Sequence, residues 1–141
     1  MLAALSLFPP PSVVPIEQAF LSNSCQLVGE LISKDGPVQI SLPEPVSISD
    51  FVSAGQARLI FGRIFSDFRT SEFYVDPRLT TYPERRGGIL RARWSFTHKK
   101  TGLTSVFRIY FYVLPVIVRR PHEPGKFEPG LRIVEIRAEK T

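Results

Sequence analysis

The stretch Gly88-Ile89-Leu90-Arg91-Ala92-Arg93-Trp94-Ser95-Phe96-Thr97-His98, followed after a short connection by Ser105-Val106-Phe107-Arg108-Ile109-Tyr110-Phe111-Tyr112-Val113, decides the fold. Successive side chains of an extended chain point to opposite faces. In the first segment Leu90, Ala92, Trp94 and Phe96 therefore share one face, and Arg91, Arg93, Ser95 and Thr97 the other. In the second, Phe107, Ile109, Phe111 and Val113 lie opposite Arg108, Tyr110 and Tyr112. Strands apolar on one side only belong to an antiparallel sheet covered on one face. The connection Lys99 to Leu103 holds Thr101-Gly102, a hairpin tip in which Gly102 supplies a positive φ. Placing the apolar faces together leaves two registers of similar loop length. One opposes Arg93 with Arg108, which like charge disfavours; the other opposes Arg93 with Tyr110 and Arg91 with Tyr112, which stacking favours. The second register is the expectation.

Downstream, Pro121 to Gly130 contains Glu-Pro-Gly twice, at Glu123 to Gly125 and at Glu128 to Gly130. Pro-Gly suits the centre of a type II turn, so both copies are expected in a loop between strands. Leu131, Ile133, Val134, Ile136 and Ala138 make a last strand, irregular near Ile133 and Val134 where two apolar residues adjoin. Upstream, Phe73 and Val75 alternate with Glu72, Tyr74 and Asp76 in a short strand closed by Pro77, followed by a polar connection with Pro83, Arg85, Arg86 and Gly87-Gly88. Ser53 and Gln56 form a capping box for a helix whose stripe is Ala57, Ile60, Phe61, Ile64, Phe65 and Phe68. Val38, Ile40 and Leu42 alternate as a strand ended by Pro43 and Pro45. From Pro15 to Ser33 the apolar spacing is helical but is interrupted by Ser22-Asn23-Ser24, predicting two short helices or one bent one. The predicted fold is α+β: helices over about 16–32 and 53–68 cover one face of an antiparallel sheet whose central hairpin is 88–114.

The order of these elements, with several motifs, resembles a group of short bacterial proteins of unknown function. That group belongs to the cystatin-like superfamily, which also holds nuclear transport factor 2-like domains. The matching residues are Ile16, Ala19, the Ser22-Asn23 break before Leu27, Ser53 with Gln56-Ala57, and Ser71-Glu72-Phe73. They continue with Gly88, Leu90, Gly102, Phe107-Arg108-Ile109-Tyr110 and Ile133-Val134-Glu135-Ile136-Arg137, so the likeness spans about 16–140. The resemblance implies a roll in which N-terminal helices pack into the concave side of a curved antiparallel sheet. It also implies a tendency towards secretion signals, and it implies no activity. The sequence departs from the group's pattern in its proline-rich start and basic second half.

The chain has 141 residues, 43% of them hydrophobic, which suits one packed domain over 16–141 and excludes wholesale disorder. Residues 1–15 read as a proline-rich apolar tail or the remnant of a secretory signal lacking its basic start; that segment is too short to span a bilayer. The first reading leaves the protein cytoplasmic and the second places it outside the cytoplasm. Cys25 has no second cysteine, which excludes an internal disulfide and a cysteine-based zinc site. Net charge is +5, divided between −4 over residues 1–84 and +9 over residues 85–141, and 13 of the 18 cations are arginine. Arginine offers a planar fork to carboxylates and phosphates.

Enzymes on related folds place acids, tyrosines or histidines in the hollow between helices and sheet, where burial tunes a general base. Here the residues facing that hollow are apolar, and His98 near the hairpin tip is the ionisable exception. No catalytic residue, metal site or cofactor is therefore assigned. His122 has no second histidine at ligand spacing, and Cys25 reads as a small core thiol. The candidate binding residues are Arg91, Arg93, Arg108, Tyr110 and Tyr112, all on the uncovered sheet face, where arginines beside aromatic rings grip an anionic ligand or protein partner. The competing account of these residues is a solvated face or a homodimer interface, with Glu135 neutralising part of the charge. The functional expectation is a non-catalytic binding or scaffolding module. The alternatives are a small-molecule enzyme of the nuclear transport factor 2-like kind and, third, a nucleic-acid-binding domain, for which no recognised motif is present.

Overall fold

The computed structural model describes residues 12–76, 87–119 and 123–141. Residues 1–11 of the N-terminal tail, Pro77, the connection with Pro83, Arg85 and Arg86, and His122 lie outside the described residues.

Helix α1 (Val14–Leu21) carries Pro15 in its first turn, where a missing backbone donor costs nothing. The Ser22-Asn23-Ser24 break separates it from α2 (Cys25–Leu31), and two side chains make that break useful. Ser24 caps α2 by accepting the Leu27 amide at 3.1 Å. Asn23, at φ 53, turns its Oδ1 onto the Thr70 amide at 2.9 Å. Helix α3 (Ala54–Asp67) starts with the expected capping box between Ser53 and Gln56.

The strands are β1 (Val38–Leu42), β2 (Ile48–Val52), β3 (Phe68–Val75), β4 (Gly88–His98), β5 (Thr104–Arg119) and β6 (Phe127–Lys140). They form one curved, open sheet in the order β2-β1-β6-β5-β4-β3. Neighbouring strands are antiparallel except β1 with β6, which is parallel, so the sheet is mixed. Edge strand β3 is sealed from the helix side. Its Thr70 and Val75 amides donate to Asn23 Oδ1 and to Glu17 Oε2 of α1, which blocks edge-to-edge pairing.

Two expectations change. The β4–β5 register opposes Arg93 with Arg108 and Arg91 with Tyr110, not Arg93 with Tyr110 and Arg91 with Tyr112. The turn decides this. Gly102, at φ 74, donates its amide to the His98 carbonyl, and the His98 amide donates to the Leu103 carbonyl, which closes a tight tip. The His98 ring tightens it further: Nδ1 accepts the amides of Lys100 and Thr101 at 3.1 and 3.2 Å. The like-charge pair survives because β6 supplies an acid that consideration of two strands could not include. Second, only the first Glu-Pro-Gly copy is a turn, with the Lys126 amide on the Glu123 carbonyl and Gly125 at φ 79. Glu128-Pro129-Gly130 lies inside β6 opposite Val116, Ile117 and Val118, where the side chain of Val118 packs against bare Gly130. Pro43 and Pro45 end β1 at Leu42, as expected. The turn Pro43 to Ser47 folds the chain back into β2, an edge strand not foreseen in the sequence.

The irregularity at Ile133 and Val134 is present: Val113 pairs with Ile133 and Tyr112 with Glu135, so Val134 is the extra residue. Between helices and sheet, among the described residues, lies a cluster of aromatic rings. Phe20 of α1 stacks on Phe73 at 4.4 Å and meets Phe61, Phe65, Trp94 and Phe111 edge-on at 5.2–5.9 Å. Trp94 is fully buried, with its Nε1 donating to Thr70 Oγ1 at 2.9 Å. The hairpin tip is tied to α3 through the Lys99 Nζ, which donates to the Phe65 carbonyl at 2.8 Å. No helix among the described residues is long and apolar enough to cross a membrane.

Candidate functional site

The alternation that buries Leu90, Ala92, Trp94 and Phe96 under the helices projects Arg91 and Arg93 from the opposite face, and Arg108, Tyr110 and Tyr112 follow from β5 in the same way. All five predicted residues thus share the outer face. Strand register arranges them in cross-strand rows. The first row is Tyr74, Arg93, Arg108 and Glu139 from β3, β4, β5 and β6. The second is Arg91, Tyr110, Arg137 and Ser41, and the third is Ile89, Tyr112, Glu135, Gln39 and Phe51.

Glu139 is the organising acid of this face. It accepts from Arg108 Nη1 at 3.1 Å and from the Tyr110 hydroxyl at 3.2 Å. The carboxylate named from the sequence as the neutralising group, Glu135, sits instead opposite Tyr112 and Gln39. The stacking expected between Arg91 and Tyr112 is made by Arg137, whose Cζ lies 5.8 Å from the centroid of the Tyr112 ring and whose Nη2 donates to the hydroxyl at 3.2 Å. Neither Arg91 nor Arg93 has an acidic partner among the described residues. A concavity of about 110 Å³ lies along the first row, walled by Tyr74, Asp76, Arg91, Arg93, Arg108 and Thr141.

Sequence reasoning missed Tyr74, Arg137 and Glu139 as members of the face. Their alternation was visible, but membership required knowing that β3 and β6 flank the central hairpin. Other candidates are less convergent. His98 is held edge-on against Phe68 at 5.1 Å, with Nδ1 committed to the hairpin tip. Cys25 is half-buried in the first turn of α2 and packs across from Gly62. A shallow depression of about 880 Å³ beside it is lined by surface side chains of α3, including Arg58, Leu59 and Arg63.

Among the described residues, three helices lie on one face of a mixed, open six-stranded sheet, a fold shared with solved structures described as nuclear transport factor 2-like and cystatin-like. The similar solved structures include a DUF4783 family protein from Bacteroides uniformis, at 16% identity and TM-score 0.61, covering 91% of this chain and 95% of that one. A ketosteroid isomerase-like protein from Erwinia carotovora aligns at 10% identity and TM-score 0.62, covering 91% of this chain and 89% of its own. A domain of unknown function with a cystatin-like fold from Nostoc punctiforme aligns at 10% identity and TM-score 0.56, covering 91% and 72%. At these identities the likeness is one of fold. No protein-family model matches the chain, and no curated protein matches it.

Proposed function

We propose that the protein is a non-catalytic binding or scaffolding module that recognises an anionic partner with the outer face of its sheet. The observation that carries this reading is the pair Arg91 and Arg93. Both stand on one strand beside tyrosines, without an acidic partner among the described residues, while Glu139 takes up Arg108. Guanidinium groups held beside aromatic rings keep their donors for a ligand. Two neighbours carry isomerase names, but in this chain Phe20, Trp94, Phe73 and Phe111 occupy the space between helices and sheet. Nucleic acid fits the face less well, because Glu72, Glu135 and Glu139 interleave with its cations.

The test is fluorescence anisotropy of a labelled oligo-glutamate peptide titrated with wild-type protein and with the double variant R93E/R108E. Wild type should bind with an affinity that falls as salt rises, and the double variant should not bind. Its thermal midpoint should change little, because exposed ion pairs contribute about 0–1 kcal/mol. A double variant that unfolds or changes oligomeric state would make the face structural and end the binding reading.

A further inference from the structure

We infer that Arg91, Arg93 and Arg108 form the seat for the phosphoryl group of a phosphate monoester. This deepens the reading of the outer face as an anion-binding surface, on which it rests, by naming the anion. The register provides the first reason. Arg93 and Arg108 are directly opposed on β4 and β5, with Cβ atoms therefore about 4.5–5.5 Å apart, an arrangement that like charge penalises. Glu139 engages Arg108 from the β6 side and leaves Arg93 unrelieved. An oxyanion placed between the two guanidinium groups turns that repulsion into attraction on both sides.

Charge and shape give the second reason. Asp76 also walls the concavity, but three arginines outnumber it there, and Arg91 and Arg93 have no acidic partner among the described residues. A phosphate monoester carries about −1.5 to −2 at neutral pH and presents three acceptor oxygens, which suits two unrelieved cations and a third arginine arriving from the neighbouring strand. A carboxylate is planar, carries a single charge and offers two oxygens, which one guanidinium fork satisfies. The concavity of about 110 Å³ is the size of one such group with little space to spare. Third, Tyr74 is cross-strand neighbour to Arg93, half exposed at 50%, and forms one wall. Its ring is a ledge for the organic part of the ester.

Calorimetric titration of the full chain with inorganic phosphate, phenyl phosphate and benzoate at matched ionic strength tests the assignment. Phenyl phosphate should bind most tightly, inorganic phosphate less so and benzoate least. Arg93→Gln should weaken phenyl phosphate at least about tenfold, as expected for loss of a charge-assisted fork. Tyr74→Ala should reduce phenyl phosphate to the level of inorganic phosphate, and Arg63→Gln, on helix α3 and away from the outer face, should change neither. Co-sedimentation with phosphatidylcholine vesicles containing phosphatidic acid separates a lipid headgroup from a soluble ester as the source of the group. Phosphates that bind no better than benzoate, or an Arg93→Gln protein that binds them like wild type, would overturn the assignment. If oligo-glutamate still binds in an Arg93-dependent way in that case, the anion-binding reading stands without it; if the peptide also fails, both fall.

Discussion

Phe20 is the side chain at the centre of the packed interior, and Phe20→Ala measures how much that packing contributes. Its ring is 1% exposed and sits among five other aromatic rings, one stacked and four edge-on. An aromatic side chain buries about 150–250 Å², which at about 25 cal/mol per Å² corresponds to about 4–6 kcal/mol. Alanine retains part of that, and the measured range for truncating a buried phenylalanine is about 3–5 kcal/mol. With a urea slope near 2 kcal/mol per M, the midpoint should fall by about 1.5–2.5 M. The cavity left behind is apolar and dry, so benzene should bind it and recover part of the loss. Urea unfolding followed by tryptophan fluorescence reads both effects through Trp94, whose ring lies 5.2 Å from that of Phe20. Phe20→Leu, which keeps most of the volume, should lose less than half as much and covers the case in which the alanine protein does not fold. A midpoint shift below about 0.5 M at unchanged slope, with no response to benzene, would show that α1 does not plug the interior.

Three further substitutions probe local devices. Asn23→Ala removes the acceptor for the Thr70 amide and leaves a non-glycine side chain at φ 53, so it should cost about 1–3 kcal/mol by thermal or urea unfolding; Asn23→Gly should recover the backbone part only. His98→Ala should leave the fold intact, as judged by circular dichroism, while hydrogen exchange of the Lys100 and Thr101 amides accelerates, since both donate to Nδ1. Gly87→Ala should destabilise strongly in an unfolding assay, because φ is 85 and the added Cβ would press on the Val113 carbonyl oxygen.

Much of the fold was legible because strand alternation and helical spacing are local. The β4 and β5 patterns assign Trp94 and Phe111 to the buried face without reference to any partner, and the capping box at Ser53 and Gln56 marks the start of α3 within four residues. The break at Ser22-Asn23-Ser24 was equally plain, because such side chains compete for backbone hydrogen bonds. The five proposed face residues follow from the same alternation.

What tertiary structure decided was adjacency. Which strands flank the central hairpin fixes that Tyr74 joins Arg93 and that Glu139 joins Arg108, and a strand's own alternation carries no information about its neighbours. The register error arose from the same cause. Two strands considered together made Arg93 opposite Arg108 look unfavourable, whereas a third strand supplies the acid and the Gly102 turn fixes the pairing. Pro129 misled in the same manner, since Pro124 at a turn and Pro129 inside β6 have the same local preferences and differ in what lies across from them. Sequence determined the faces, because side-chain direction is a property of each strand; the fold determined the neighbours, because hydrogen-bonded pairing between distant segments is settled only when the whole sheet packs on its helices.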